Sequence, residues 1–236
     1  MIKLVINEFK KVRLIKIIIT YILVITSLIL INKYSTKSIF DMSFNLIPFI
    51  GIFVSLLFSG SVCFEIENGT MKYYLTKPYK RNKVYLSKLI TILLYIFMSY
   101  LIIIITTSLI GDSFNYKYSL KYLVHMIPII FLSSYVLFLS ACFKSHVFVS
   151  SMSILTLCFS LTISQVLFGL GFNIIEYTFL PYLDYSIFND KLLILNMNNE
   201  LNTNINLKMG IVLDILYFFL LLFLGMLKFQ KKDIKY

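Results

Sequence analysis

Residues 89–110 read LITILLYIFMSYLIIIITTSLI, a run without a charged side chain. About 20 such residues, wound as a helix, cross the hydrocarbon core of a bilayer. Five other stretches are similarly apolar, and the six predicted spans are residues 14–31, 44–64, 89–110, 122–143, 147–170 and 209–227. The sequence therefore predicts an all-α, polytopic membrane protein in which residues 1–236 form a single transmembrane domain.

The composition supports a membrane protein. The 236 residues are 59% hydrophobic and 14% charged, with a mean hydropathy of +0.86, which a water-soluble domain of this size does not require. The net charge of +11 would favour nucleic-acid binding in a soluble protein, but the Lys and Arg residues are confined to short segments between apolar runs. We therefore expect no nucleic-acid partner and relate the charge to membrane topology.

Lys and Arg are unevenly distributed between the two sets of connecting segments. If the N-terminus lies inside, 16 of the 22 are on the inner side, and 6 are outside, namely Lys33, Lys37, Lys117, Lys121, Lys191 and Lys208. The positive-inside rule then places both termini in the cytoplasm, in agreement with an even number of spans. The predicted location is a cell membrane, and the abundance of Ile, Lys, Asn, Tyr and Phe suggests an AT-rich bacterial genome.

Residues 1–13 combine apolar and charged side chains at near-helical spacing, with Ile2, Val5, Ile6 and Phe9 set against Lys3, Glu8, Lys10 and Lys11. This pattern favours an amphipathic helix along the inner membrane surface. A basic tail that only sets the topology stays open as an alternative. The chain also begins like a signal peptide, but no small-residue cleavage site follows, so we expect a retained first span.

Small residues recur in the second span. Gly51, Ser55 and Ser59 are each four positions apart and so lie on one helical face, where another helix can approach closely. Packing within the bundle is the default interpretation, and a subunit interface is the alternative.

Two features mark candidate positions along a transport path. The fifth span is rich in hydroxyl residues, among them Ser160 and Ser164, with Gln165 beside them. Hydroxyl groups in lipid also bond to their own helix backbone, and we favour that interpretation. Asp214 is the one carboxylate well inside a predicted span; such acids are functional candidates, although this one lies close enough to the outer boundary to be hydrated.

The longest predicted outer connection is residues 171–208. It stays apolar through Tyr182, and Pro181 interrupts any single helix there. Exposed loops are rarely so apolar, so we expect short re-entrant helices that enter the outer leaflet, followed by an Asn-rich loop over residues 196–206.

The residue types of catalytic and metal sites are sparse. Cys63, Cys142 and Cys158 lie in apolar runs, and neither they nor His125 and His146 have metal-ligand spacing. The chain has no phosphate-binding loop, no Ser/His/Asp set and no HExxH pair. We therefore expect no metal and no catalysis by this chain.

The distinctive segment is the predicted cytoplasmic connection 65–88, which reads EIENGTMKYYLTKPYKRNKVYLSK. Gly69 permits a sharp turn, Thr70 can cap a short helix over residues 71–76, and Pro78 ends that helix. Acids precede the helix and basic residues follow it, which is suited to docking of a soluble partner. The predicted docking residues are Glu65, Glu67, Gly69, Thr70, Met71, Tyr73, Tyr74, Pro78, Arg81 and Lys88.

This connection resembles that of the ABC-2 family of transporter permeases. There the loop after the second span reads approximately E-x-E-x-G-T, then a short amphipathic run, then P-x-x-R and a Lys that opens the third span. The matching positions are Glu65, Glu67, Gly69, Thr70, Pro78, Arg81 and Lys88. The six-span layout, the amphipathic start and the extended outer connection are also similar. More basic residues replace the usual Ser or Val beside the Pro and the usual acidic position after the Thr.

The resemblance implies that the short helix is a coupling helix, which inserts into a groove of a separate ABC ATP-binding subunit. It implies a homodimer or heterodimer of permease subunits in membrane lipid, with outer re-entrant helices that close the exit. ATP and Mg²⁺ would be bound by the partner and not by this chain. The aromatic content of 17% suits a hydrophobic peptide or drug-like cargo as well as interfacial anchoring.

Two other functions stay open. A lipid-modifying membrane enzyme would place its site at the inner interface, where Glu65, Glu67, Arg81 and Lys88 could bind a metal and a phosphate head group. Enzyme sites usually carry denser His or Asp clusters, which makes this alternative weaker. A non-transporting immunity or assembly protein is the third hypothesis.

Overall fold

The computed structural model describes residues 2–12, 14–34, 40, 43–67, 81–110, 116–183, 185 and 205–231. Within these ranges the regular structure is entirely helical. The α-helices are α1 (Ile2–Lys11), α2 (Leu14–Tyr34), α3 (Ile47–Phe58), α4 (Gly60–Glu67), α5 (Arg81–Ile110), α6 (Tyr116–Cys142), α7 (His146–Gly169) and α8 (Leu207–Lys231). Short 3₁₀ helices occupy Phe44–Leu46, Asn173–Tyr177 and Leu180–Tyr182.

Six helical segments of the described chain are long and apolar enough to cross a membrane. They are Ile15–Tyr34, Phe44–Glu65, Arg81–Ile110, Leu120–Cys142, His146–Gly169 and Leu207–Lys231. The second of these joins the 3₁₀ turn, α3 and α4 into one span. The prediction of an all-α chain with six apolar spans is confirmed.

The third span starts earlier than hydropathy predicts. α5 begins at Arg81 and not at residue 89, and α4 continues to Glu67, so the connection between them is reduced to residues 68–80. Charged residues near the start of α5 lower its local hydropathy, although Val84 and Tyr85 in the same turns are buried in the bundle. Tertiary packing therefore extends the helix beyond the apolar run.

The small residues of α3 pack inside the chain. A Cβ atom on Gly51 would lie 2.9 Å from Leu157 Cδ2 of α7 and 3.0 Å from Leu132 Cδ2 of α6. Ser55 and Ser59 are buried, and the Ser55 hydroxyl donates to the Gly51 carbonyl at 3.0 Å. The close approach that this stripe permits is used by α6 and α7 of the same molecule.

Apolar side chains remain exposed around the bundle. Ile15 on α2, Val166 on α7 and Phe219 on α8 each keep more than half of their surface uncovered. Such an exterior is unfavourable in water and suits a lipid environment, where apolar side chains need no cover. The structure is thus that of a multi-pass membrane protein.

The bundle has two distinct ends. One, here called the basic end, joins α1 and the starts of α2 and α5 to the ends of α4 and α8; it carries Lys10, Lys11, Arg81 and Lys228. At the other, here called the opposite end, the Ser43 and Tyr122 hydroxyls bond at the starts of the second and fourth spans.

The segment after α7 folds over the opposite end. It contains the 3₁₀ helices Asn173–Tyr177 and Leu180–Tyr182, and Tyr182 of the second packs against Gly210 of α8. The predicted short helices are therefore present, whereas their depth in the outer leaflet stays a prediction. Of the predicted Asn-rich loop, residues 196–204 lie outside the described residues, and Asn206 accepts a bond from the Met209 amide at 2.8 Å at the start of α8.

Candidate functional site at the basic end

Four charged side chains meet at the basic end. Lys88 Nζ of α5 lies 2.9 Å from Glu8 Oε2 of α1 and 2.8 Å from Glu65 Oε2 of α4. Lys11 Nζ of α1 lies 2.8 Å from Glu8 Oε1 and also pairs with Glu65. Each charge therefore has two partners of opposite sign, and three helices are joined in a ring of alternating charges, here called the ion cluster.

The ion cluster is largely removed from solvent. Lys88 is 1% exposed, and Glu8 and Glu65 are each 6% exposed, whereas the Lys11 side chain keeps 40% of its surface. The Lys88 ammonium also donates to the Ser61 carbonyl at 2.7 Å. Buried charges are tolerated when they are both paired and hydrogen-bonded, a condition that this arrangement meets.

Glu8 and Lys11, the two members of the ion cluster on α1, are both ionised at neutral pH. Burial by itself raises the pKa of Glu8, but the positive charges of Lys88 and Lys11 outweigh burial and bring that pKa below its usual 4.5. Burial lowers the pKa of Lys11, and the carboxylates of Glu65 and Glu8 outweigh it, so the pKa of Lys11 lies above its usual 10.5. Both side chains are ionised across the physiological range.

α1 has one buried face, which contributes to the ion cluster, and one exposed face. Leu4 and Glu8 are buried toward the bundle, while Ile2 and Ile6 stay exposed. The predicted helix over residues 1–13 is therefore present as Ile2–Lys11 and packs against α5. Its position along the membrane surface stays a prediction.

Sequence reasoning missed Glu8 and Lys11 as partners of the second and third spans. The amphipathic pattern predicts only that both lie on the charged side of a surface helix. One signal was available: Glu8 is the single acid in the first 40 residues, within a segment rich in Lys and Arg. A lone acid among cations suggests a specific pairing.

The predicted docking surface requires a correction at two positions. Glu65 and Lys88 are not on a surface, because they are enclosed by α1 and by their own ion pairs. They flank the connection 68–80 and fix the helices on either side of it. The side chain of Glu67 and the residues Gly69, Thr70, Met71, Tyr73, Tyr74 and Pro78 lie outside the described part of the chain.

Arg81 links the start of α5 to the end of α8. Its guanidinium donates to the Gln230 backbone carbonyl, and the Gln230 side chain donates to the side-chain oxygen of Asn82. Close by, the Tyr85 side chain fills the space over Gly225 and leaves no room there for a Cβ atom. The last turns of α8 are therefore held against the residues that follow the connection 68–80.

The hydroxyl residues of α7 bond within their own helix. Ser160 donates to the Leu157 carbonyl at 3.3 Å, and Ser164 donates to the Leu161 carbonyl at 2.7 Å. Gln165 is half-buried. These hydrogen bonds leave both serine donors satisfied by the helix backbone, the interpretation favoured for them above.

Asp214 is fully buried at the opposite end, with 0% exposure. The Tyr185 hydroxyl donates to Asp214 Oδ2 at 2.7 Å, while Oδ1 has no hydrogen-bond partner among the described residues. The side chain is therefore enclosed by the protein and not exposed at the outer boundary. Burial and the negative charge of Asp214 raise the pKa of Tyr185, so its hydroxyl keeps the proton that it donates.

The described residues contain no group of three or more His, Cys, Asp or Glu side chains that could together hold a metal ion. Cys63, Cys142 and Cys158 are not in disulfide bonds. Glu8 and Glu65, the two carboxylates brought together at the basic end, are already neutralised by two lysines. The arrangement is therefore suited to a mechanical junction between helices.

Six apolar helices, two of which are linked to α1 by a buried ion cluster, define the chain as a multi-pass α-helical membrane protein. Residues 4–235 match the model of the family described as "Protein of unknown function (DUF2705)", and the chain belongs to this family. The match begins within α1 and extends past the end of α8. No curated protein matches the sequence. The function is accordingly argued from the site itself.

Proposed function

We propose that this chain is the permease subunit of an ATP-driven exporter of the ABC-2 type, in a bacterial cell membrane with both termini in the cytoplasm. The ion cluster is the observation that carries this proposal. Glu65 and Lys88, which flank the connection 68–80, pair with each other there, and Lys88 also pairs with Glu8 of α1. A connection that receives force from a partner requires such an anchor at both ends.

The ion cluster would pass a displacement of the connection to three helices at once. Its ion pairs are short and buried, and charges in a medium of low polarity attract more strongly than at a wet surface. α1, the end of α4 and the start of α5 would thus move together when a docked subunit shifts residues 68–80. Rigid movement of packed helices is a common form of switching.

A second link would carry the movement to α8. Arg81 and Asn82 bond to Gln230 near the end of that helix. The other end of α8 holds Asp214, which is bonded to Tyr185 of the segment that follows α7. In the proposed exporter this segment closes the outer exit, and a tilt of α8 releases it.

The partners follow from the same proposal. An ABC ATP-binding subunit docks at residues 68–80 and binds ATP and Mg²⁺, so that this chain needs no catalytic residue. A second permease subunit completes the pathway for a hydrophobic peptide or drug-like cargo. The structure describes no part of residues 68–80, and the docking role of this segment rests on its sequence.

The enzyme alternative gains no support from the site. Glu65 and Lys88 would have to leave their ion pairs before they could bind a metal or a phosphate. Because these two side chains are paired with opposite charges and buried, a substrate could neither reach them nor interact with an unpaired charge. No observation favours the immunity or assembly alternative.

Co-purification tests the proposal. The chain is co-expressed with the ATP-binding protein encoded nearest to it, and association is measured after detergent extraction. We expect the wild type to retain the ATP-binding protein, and Tyr73→Glu or Tyr74→Glu to lose it while still inserting into the membrane.

Tyr34→Glu is the matched control, since Tyr34 is exposed at the opposite end of the bundle and should keep the partner. The proposal fails if the wild type retains no ATP-binding subunit. It also fails if both loop variants associate and stimulate ATP hydrolysis as the wild type does.

A further inference from the structure

A groove lies between α1 and α5 on the outside of the bundle. It encloses about 470 Å³. Its lining consists of apolar side chains and one lysine: Ile2, Val5, Ile6, Phe9, Lys10, Ile90 and Leu94. Its α5 side is lined by Ile90 and Leu94, which belong to the apolar run of a candidate spanning helix.

The groove has the opposite character to the ion cluster on the other side of α1. Glu8, the acid of this helix, points into the cluster and is neutralised there by Lys88 and Lys11. Lys3 and Lys10 are exposed and form no ion pair with a described carboxylate. The outward face of α1 therefore presents uncompensated positive charge above an apolar slot.

We propose that this groove binds an anionic phospholipid, with one acyl chain between α1 and α5 and the phosphate at Lys10. The apolar lining matches an acyl chain, and the lysine at the rim matches the negative head group. A volume of about 470 Å³ falls in the range of sites that enclose small ligands. A soluble peptide is a poorer match, because the groove opens toward lipid beside the exposed side chains of Ile6 and Leu94.

The bound lipid would stabilise the packing of α1 against α5. An acyl chain in the groove contacts both Phe9 of α1 and Leu94 of α5, and so holds α1 where Glu8 reaches Lys88. The inference requires only that the chain spans a membrane, and it stands apart from any role of ATP.

Photolabelling of the full chain in vesicles tests the site. The probes are phosphatidylglycerol and phosphatidylcholine that carry a diazirine on one acyl chain, each diluted into unlabelled phosphatidylcholine. Labelled positions are mapped by mass spectrometry. We expect labelling concentrated in α1 and in the first half of α5, and about fivefold stronger with phosphatidylglycerol, the preference that one lysine near the surface provides.

Two pairs of variants separate the head group from the acyl chain. Lys10→Gln should reduce groove labelling by phosphatidylglycerol to the level of phosphatidylcholine, whereas Lys3→Gln removes the same charge from a residue outside the groove lining and should keep the preference. Ile6→Ser should reduce labelling by both lipids. Ile15→Ser, on the exposed face of α2, should not.

Three results would overturn the proposal. The first is labelling spread evenly over the exposed faces of α2 and α7, as general lipid contact would give. The second is equal labelling by the two lipids in the wild type. The third is an unchanged lipid preference in Lys10→Gln.

Discussion

Lys88 shows how a single lysine can be buried at the start of a membrane-spanning helix. Its ammonium group donates hydrogen bonds to Glu8 and to the Ser61 carbonyl, and it forms an ion pair with Glu65 at 2.8 Å. Each acceptor comes from an element that packs against α5. Lys88 therefore links α5 to α1 and α4, and it is not a solvent-exposed lysine that serves only to set the membrane topology.

Loss of Lys88 should be costly. Lys88→Met leaves Glu8 and Glu65 buried with Lys11 as their shared partner, and removal of one member of a buried charge group typically costs roughly 3–5 kcal/mol. Unfolding by sodium dodecyl sulfate in mixed micelles measures the change in stability. Lys83→Met is the control, since Lys83 is exposed one turn earlier on α5. Equal stability of the two variants would contradict the structural role of the ion cluster.

The stability of the fold should depend on acid through Glu8. Because Lys88 and Lys11 bring the pKa of Glu8 below 4.5, its stabilising contribution is complete above about that pH and is lost as the pH falls through the lower, folded-state pKa. Lys11, whose pKa is raised above 10.5, contributes fully below that pH and loses its contribution in stronger base. Unfolding midpoints measured from neutral pH into acid should therefore fall less steeply in Glu8→Gln than in the wild type. Parallel curves would show that Glu8 does not titrate as the structure requires.

Asp214 depends on one hydrogen bond. Tyr185→Phe removes the donor and leaves a fully buried carboxyl group without a partner in the described structure, which should cost roughly 1.5–3 kcal/mol. Tyr217→Phe is the matched control, because the Tyr217 hydroxyl donates to the Tyr177 carbonyl at 3.1 Å in an exposed position. The same unfolding assay measures both. A cost no larger than that of the control would mean that Asp214 finds another donor.

Among the helices, α3 depends most clearly on close packing. Gly51 faces Leu132 and Leu157, whose methyl groups leave no room for a larger side chain unless they move. Gly51→Leu should therefore destabilise the bundle by about 1–3 kcal/mol through overpacking. Gly169→Leu introduces the same side chain into open space at the end of α7 and should change stability far less. If Gly51→Leu were as stable as this control, α3 could not be packed as described.

α5 illustrates where prediction from sequence reaches its limit for an element. Its apolar run is evident from residue 89 onward, but the two turns before it are charged, and they are helical because α1 and α8 cover them. Hydropathy averages neighbours along the chain and does not register neighbours in space. For the same reason hydropathy predicts Glu65 and Lys88 to be loop residues. Their burial depends on α1, which is distant in sequence but adjacent in space.

For the whole molecule, the described ends of the chain lie together at the basic end, with α1 bonded to α5 and α5 bonded to α8. The positive-inside rule predicts that this end faces the cytoplasm. A green fluorescent protein fused to the C-terminus should then fluoresce, and an alkaline phosphatase fused there should be inactive. The reverse pair of results would invert the predicted orientation.

The amino-acid order alone was enough to define six membrane-spanning helices. Lipid imposes this condition on each segment separately, because about 20 consecutive apolar residues must satisfy their own backbone hydrogen bonds. Packing in three dimensions was needed to bring Glu8 to Lys88 across 80 positions of sequence and Tyr185 to Asp214 across 29. Contacts between buried polar groups depend on which helix faces become neighbours, and that choice is made by side-chain packing over the entire bundle.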